Sequence, residues 1–315
     1  MNTSTIPVIN IENIENPATL KVLDAACRDW GFFQVTHHGI DPNLITAIFE
    51  QTRAFFAQPS AIKREIARTA NNTWGFFDQE LTKNKRDWKE IFDYGPADGQ
   101  TLRPQWPRLL PRFEPVVRTY YAACERLAHT LLAAISSNLG MPSDYLKYSF
   151  GRGHTSFLRM NYYPVYPGAR KDAVQADQEG DQFGVHHHTD AGALTLLLQD
   201  DVAGLEVFRN GGWHLVEPRS DALVINIGDI VQVWSNDRYK ASLHRVTTNV
   251  TRERFSIPFF FNPAHDAQYA PLPTTIDDAH PARYVSINWG NFRALRAAGD
   301  FADLGEEIQI SHFAR

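Results

Sequence analysis

The chain changes character near residue 150, and that change limits its fold more than any other feature. From Ser156 to Pro263 it breaks into short runs rich in β-branched and aromatic residues: SFLRMNYYP, ALTLLLQ, GLEVFR, WHLVEP, ALVINIG, IVQVWSN, SLHRVTTN and RFSIPFFFN. Turn residues separate the runs, and NGGW at 210–213 has the composition of a tight hairpin. Many short strands at this spacing predict an antiparallel sandwich or barrel. Upstream, apolar residues recur mostly at helical spacing. The pattern predicts a helix over about 18–29, a second opened by Asp41 and Pro42, and a long third, EPVVRTYYAACERLAHTLLAAISSNLG, capped by Gly140. IPVINI and GFFQVTH read as strands, and residues 71–111 read as irregular. After the strand-rich block, HPARYVSINWGNFRALRAAGDFADLGEEIQ predicts a C-terminal helix. The expected class is α+β. A mostly helical region over 1–150 precedes a double-stranded β-helix, or jelly roll, over 151–265, and a helical extension follows over 266–315.

Composition removes several functional classes. Hydrophobic residues make up 43% and charged residues 21%, so the chain has the material for a large core. The net charge is −5 and no basic run occurs, which argues against nucleic acid and anionic membranes as partners. No apolar stretch approaches the roughly 18 residues of a membrane span. The start, MNTSTIPVIN, lacks the basic and apolar segments of a signal peptide. Cys27 and Cys124 lie in helical sequence, where a reduced cysteine is a small core residue. The expectation is a cytoplasmic protein, a monomer or weak homo-oligomer, that works on a small molecule.

GVHHHTD carries the first chemical signal. On a strand, alternation puts His186, His188 and Asp190 on one face and His187 on the other. Ligands two residues apart reach adjacent sites of one ion, and a third must come from another strand. His244 in KASLHRVTTN is the best candidate. Two imidazoles and a carboxylate leave three positions of an octahedral ion open, as in non-haem Fe(II) oxygenases. Mg²⁺ and Ca²⁺ prefer oxygen ligands. By itself H-x-D is a weak signal, and the spacing alone leaves open which histidines bind. Alternation also groups Arg159, Asn161 and Tyr163 in LRMNYYP.

The stretches HTDAGALTLLLQD, GLEVFRNGGWHLVEP, VINIGDIVQVWSNDRYKASLHRV and RERFSIPFFFNP settle the register by likeness. With IPVINI, ACRDWGFFQVTHHGI and DWKEIFDYG upstream, the chain resembles the isopenicillin-N-synthase-like family of 2-oxoglutarate/Fe(II)-dependent oxygenases from Ile6 to about His312. The resemblance implies that His188, Asp190 and His244 bind Fe(II). It also implies that Arg254 and Ser256, which share a strand face, grip the far carboxylate of 2-oxoglutarate, an arginine fork being suited to bidentate contact. Arg252, in the competing register, lacks the serine. Asn161 and Tyr163 would lie beside 2-oxoglutarate. His186 would stand behind the metal or line the pocket, and His187, His37, His38 and His214 would be structural.

The implied reaction couples conversion of 2-oxoglutarate and O₂ to succinate and CO₂ with hydroxylation, desaturation or ring closure of a small molecule. The carboxylate of Asp190 leaves no vacancy for a halide, which disfavours halogenation. An alternative is an oxidase of the isopenicillin N synthase type that uses no 2-oxoglutarate. The insert VYPGARKDAVQADQEGDQF and IPFFFNP lean toward it, whereas NYYP and LTLLLQD lean toward 2-oxoglutarate. Candidate substrate contacts are Arg159, His186, Trp74, Phe76, Phe92, Phe260 and Asn262. An arginine beside an aromatic wall suits an amino acid or a natural-product acid. Arg159 is therefore expected to anchor a substrate carboxylate, with pairing to an Asp or Glu of the helical region as its rival.

Overall fold

The computed structural model of the protein describes residues 5–151, 153–168, 182–302, 305–306 and 308–315. Most of the insert expected between NYYP and the histidines, 169–181, lies outside the described residues. The first half contains β1 (Val8–Asn10), α1 (Pro17–Asp29), β2 (Phe32–Thr36), α2 (Pro42–Phe56), α3 (Ser60–Arg64), β3 (Gly75–Phe77), β4 (Leu81–Thr82), β5 (Lys85–Arg86), β6 (Glu90–Tyr94) and α4 (Phe113–Asn138). The second half contains β7 (Phe157–Tyr163), β8 (Phe183–His188), β9 (Leu194–Gln199), β10 (Leu205–Arg209), β11 (Gly212–Leu215), β12 (Ala222–Ile227), α5 (Asp229–Trp234), β13 (His244–Thr247), β14 (Arg254–Phe261), β15 (Gln268–Tyr269), β16 (Ile287–Asn288) and α6 (Trp289–Ala302).

The helix signals act as expected. Asn16 and Asp41 accept hydrogen bonds from Ala18 N and Asn43 N at 2.9 and 2.8 Å, each followed by a proline whose missing N–H costs nothing at a helix start. Gly140 stands just past α4 with φ of 80°, a conformation that favours glycine. Asn210 and Gly211, at φ of 51° and 80°, make the two-residue turn between β10 and β11.

The strands form an eight-stranded sheet, ordered β1-β2-β12-β9-β14-β7-β6-β3, and a four-stranded sheet, ordered β11-β10-β13-β8. The first half is less purely helical than its sequence suggests, because β1, β2, β3 and β6 all join the larger sheet. The stretch read as irregular supplies two of these strands. They are only three and five residues long, and their aromatics hide the alternation that marks longer strands.

Opposed residues on antiparallel strands share a face. The row Phe33, Ile225, Leu196, Phe259, Leu158 and Tyr94 crosses six strands on one face, and all of it belongs to the apolar core shared with α1, α2 and α4. One residue away in each strand, Phe32, Asn226, Thr195, Phe260 and Phe157 form a row on the other face, toward the four-stranded sheet. Phe32, Tyr163, Val185, Leu205, Val207, Val224 and Val246 pack together in a second, smaller core.

Candidate active site

β8 and β13 are antiparallel neighbours, and their register sets His188 directly opposite His244. The chain leaves β8 at His188, and the bend that follows turns Asp190 back toward the pair. Its Oδ1 lies 3.5 Å from His188 Nε2 and 3.7 Å from His244 Nε2. The ligand atoms of the three residues lie within 4.8 Å of one another, so three donors converge on one point. The other nitrogen of each ring faces a carbonyl: His188 Nδ1 meets His186 O at 2.8 Å and His244 Nδ1 meets Ser242 O at 3.1 Å. A carbonyl only accepts, so Nδ1 carries the proton and Nε2 keeps its lone pair for an ion.

Electrostatics favour the same state. Burial, helped by neighbouring His188 and opposed by Asp190, pushes the His244 imidazole down to about 4. Burial would raise the Asp190 carboxyl, but positive charge beside it, on His244 and His188, and a hydrogen bond from Thr195 outweigh burial and hold the group well below the usual carboxylate range; with the rings neutral, a bound cation would supply that charge instead. Asp190 Oδ2 also accepts from Asn226 Nδ2 at 2.8 Å. A neutral imidazole and an ionised carboxylate are what a cation needs, since protons compete for the same lone pairs.

The loop carrying Asp190 is clamped from behind. Asp229 N, at the start of α5, donates to Asp190 O at 2.8 Å, and Gly228 N and Ile230 N donate to Ala193 O and Gly192 O. The approach is so close that a Cβ at Gly228 would lie 2.2 Å from Gly192 O. Arg296 of α6 bonds both Asp229 Oδ2, at 3.1 Å, and Thr189 O, also at 3.1 Å. The C-terminal helix thus fixes the turn between the two ligands His188 and Asp190.

Arg254, on the same inner face of the large sheet, is 1% exposed. Its Nε donates to Val202 O at 3.1 Å and its Nη2 to Gln199 Oε1 at 3.0 Å. Its Nη1 is buried without a hydrogen-bond partner, as are Gln199 Nε2 and Asn161 Oδ1 nearby in the same rows. Asn161 Nδ2 donates to Ser256 Oγ at 3.3 Å, and the Tyr163 ring lies 5.0 Å from the guanidinium carbon. A buried cation with an unused donor, beside a hydroxyl, fits a carboxylate brought by a small molecule. Arg252 instead points outward to Asp201.

Residues 154–263 match the 2OG-Fe(II) oxygenase superfamily, and residues 6–112 match the family described as non-haem dioxygenase in morphine synthesis N-terminal. Flavanone 3-dioxygenase 2 of Oryza sativa subsp. japonica is 34% identical over 294 residues, covering 91% of this chain and 82% of the relative. Gibberellin 20 oxidase 2 of Oryza sativa subsp. indica is 36% identical over 276 residues, covering 85% and 67%. The chain belongs to the 2OG-Fe(II) oxygenase superfamily. The crystal structure of JOX2 in complex with 2OG, Fe and JA superposes with a TM-score of 0.82 at 28% identity, over 99% of this chain and 89% of that one. A full-length Neurospora crassa protein in complex with alpha-KG and thymine gives 0.82 at 25% identity, over 95% and 98%. The protein is a non-haem oxygenase that uses Fe(II), 2-oxoglutarate and O₂. Bound together, Fe(II) and 2-oxoglutarate activate O₂ to oxidise a C–H bond, with release of succinate and CO₂.

The oxygenase departs from its sequence-based expectations on the substrate side. Arg159 is not an unmatched cation. Its Nε and Nη2 bond both oxygens of Asp93, at 2.8 and 2.9 Å, and its Nη1 bonds Glu80 at 2.7 Å. Two carboxylates meet its charge, so it has no need of a substrate anion. Phe76 and Phe92 are not pocket residues either. They oppose each other, and Phe92 opposes Met160, which puts both on the helix-facing side among Phe55 and Phe113. Asn262 lies past the end of β14, where its Nδ2 donates to Thr155 O and its Oδ1 packs against Gly192. Trp74 is buried, donates to Pro96 O at 3.2 Å, and lies 5.9 Å from the Phe157 ring. Phe260 faces the inner side as expected and stacks on Phe157 at 4.7 Å.

His186 meets Asp87, which accepts from its backbone N at 3.2 Å and lies 3.1 Å from its ring nitrogen. His37, His38 and His214 make local contacts away from the three ligands.

Sequence inspection missed the buried network behind Arg159. Lys89 pairs with Glu80 at 2.8 Å and Asp87 at 3.1 Å, and Arg68 pairs with Asp93. The signal was present in DWKEIFD, where Asp87, Lys89 and Asp93 keep strand parity within a run that is otherwise largely apolar. Thr195, Asn226 and Arg296, which hold Asp190 and its loop, carry no local motif.

Proposed function

We propose that this oxygenase oxidises a C–H bond of a small organic acid, with Fe(II) held by His188, Asp190 and His244 and 2-oxoglutarate held at its far carboxylate by Arg254 and Ser256. Asn161 and Tyr163 flank 2-oxoglutarate. The observation that carries this reading is the pairing of two features inside one barrel: three converging donors, and a buried arginine with a free Nη1. Chain residues bind, orient and exclude water. The names of the relatives, which act on flavanones and gibberellins, support a natural product over a macromolecule. Hydroxylation, desaturation and ring closure all begin with one hydrogen removal, the last two needing a second, and the aim of the substrate selects among them. Two buried free cysteines support a reducing, cytoplasmic setting, and a monomer or weak homo-oligomer is the proposed state.

Anaerobic titration tests the assignment without turnover. The Fe(II)-loaded protein is expected to gain a visible charge-transfer band on adding 2-oxoglutarate, and Arg254→Gln to need far more of it. A band with unchanged affinity in Arg254→Gln would remove Arg254 from the site. Turnover without any 2-oxo acid would favour the oxidase alternative.

A further inference from the structure

Most cations that the fold withdraws from water meet a carboxylate. Lys63, Lys89, Arg159, Arg245 and Arg296 pair with Glu90, Glu80, Asp93, Glu206 and Asp229 respectively. Arg254 does not, and 2-oxoglutarate accounts for it. Arg293 does not either. Among the described residues, this partly buried residue of α6 has a single polar contact, Nη1 to Thr155 O at 3.5 Å, and that carbonyl already accepts from Asn262. Burial pulls its pKa below the ordinary arginine value against the opposing field of Asp93. Asp93 itself has both oxygens taken by Arg159 and Arg68.

The surroundings of Arg293 lead to the oxidising centre. Its guanidinium lies 5.8 Å from the ring of Phe157, an inner-face residue that keeps partial exposure. Phe157 stacks on Phe260, Phe260 opposes Thr195, and Thr195 donates to Asp190. Phe157, Phe260 and Thr195 sit on three adjacent strands in register, so the path crosses two strand spacings, about 10 Å. Its floor is aromatic.

We propose that Arg293 receives the carboxylate of the primary substrate, whose apolar body lies along Phe157 and Phe260 and carries its reactive carbon toward the three-ligand centre. The substrate class is a monocarboxylic acid with an apolar body. A free amino acid fits poorly, because the acidic groups at this end, Asp93 and Glu80, are already bound to arginines and a lysine and leave no place for an ammonium. This rests on the reading of the centre as an Fe(II) site.

The test uses the full chain loaded anaerobically with Fe(II) and 2-oxoglutarate. Binding of 3-phenylpropionate, 5-phenylpentanoate and cinnamate is compared with that of their methyl esters, by quenching of tryptophan fluorescence. Wild type is expected to bind at least one acid about tenfold or more tighter than its ester, the scale of a charge-assisted hydrogen bond. Arg293→Gln should bring that ratio to about one, and Arg293→Lys, which keeps the charge should the shorter amide disturb folding, should retain an intermediate preference. A wild type with no acid preference, or Arg293→Gln with the wild-type preference, overturns the proposal. Succinate release by wild type is scored separately. Acid preference without succinate would uphold Arg293 and sink the oxygenase reading of the centre, and succinate without acid preference would do the reverse.

Discussion

Along β14, Phe255, Ile257, Phe259 and Phe261 face the helices, while Arg254, Ser256 and Phe260 face the second sheet. The same contrast holds across the larger sheet. The helix side is apolar from Phe33 to Tyr94, and the barrel side mixes aromatics with Asn226, Thr195, Gln199, Arg254, Asn161 and Arg159. One face is closed by contacts made within the chain, and the other keeps donors in reserve. That difference shows where stability and function reside: apolar rows hold the strands in register, so the polar rows between them can carry groups that no residue satisfies.

Substitutions on the two faces should therefore fail differently. The largest effect is expected where the inner face meets the second sheet. Asp190→Ala should lower turnover more than about a hundredfold, beyond the usual cost of losing a residue that merely orients a metal ligand, while far-ultraviolet circular dichroism stays unchanged. Retained Fe(II) affinity in that variant would break the comparison. On the helix side, Phe92→Ala should cost about 3–5 kcal/mol of stability by denaturant titration, because it empties a site packed by Phe55 and Phe113. Its remaining folded fraction should bind 2-oxoglutarate normally, and a changed affinity would mean that the faces are coupled.

Arg254→Lys should weaken 2-oxoglutarate about tenfold to a hundredfold with little change in melting temperature, since an ammonium cannot reproduce the planar fork. The smallest effect is expected in the charge network at the edge of the inner face. Burial raises the Glu80 carboxyl, but Arg159, Lys89 and Arg68 outweigh it and hold the group well below its ordinary value of 4.5. A depressed carboxylate stabilises the fold in full above that value, and the contribution is lost progressively as pH falls toward the folded pKa. Glu80→Gln should thus cost about 2 kcal/mol near pH 7, and the gap to wild type should narrow below about pH 4.5. A gap that stays constant with pH would show that Glu80 acts by packing alone.

Much of this was legible in the chain. The switch from helical to strand periodicity and the H-x-D pair depend on spacing within one segment, whereas His244 and the Arg254–Ser256 pair were named through the likeness of whole stretches to a known family. Arg159 shows where that ends. Alternation correctly turned it inward, but its partners Asp93 and Glu80 lie 66 and 79 residues away, and no spacing along the chain says that their segments meet its strand. Phe76 and Phe92 were named because the resemblance puts their segments beside the pocket, with no strand parity assigned to them. Each is one residue from an inner-face position, and a one-residue error moves a side chain through the sheet.

Local sequence determined the periodicity, the helix caps, the hairpin turn and the H-x-D pair, because each depends on groups a few bonds apart. The tertiary structure alone decided which cations stay unmatched. Whether Arg159, Arg254 or Arg293 meets a carboxylate depends on strand order and on where α6 docks, and no spacing along the chain encodes the distance between groups so far apart.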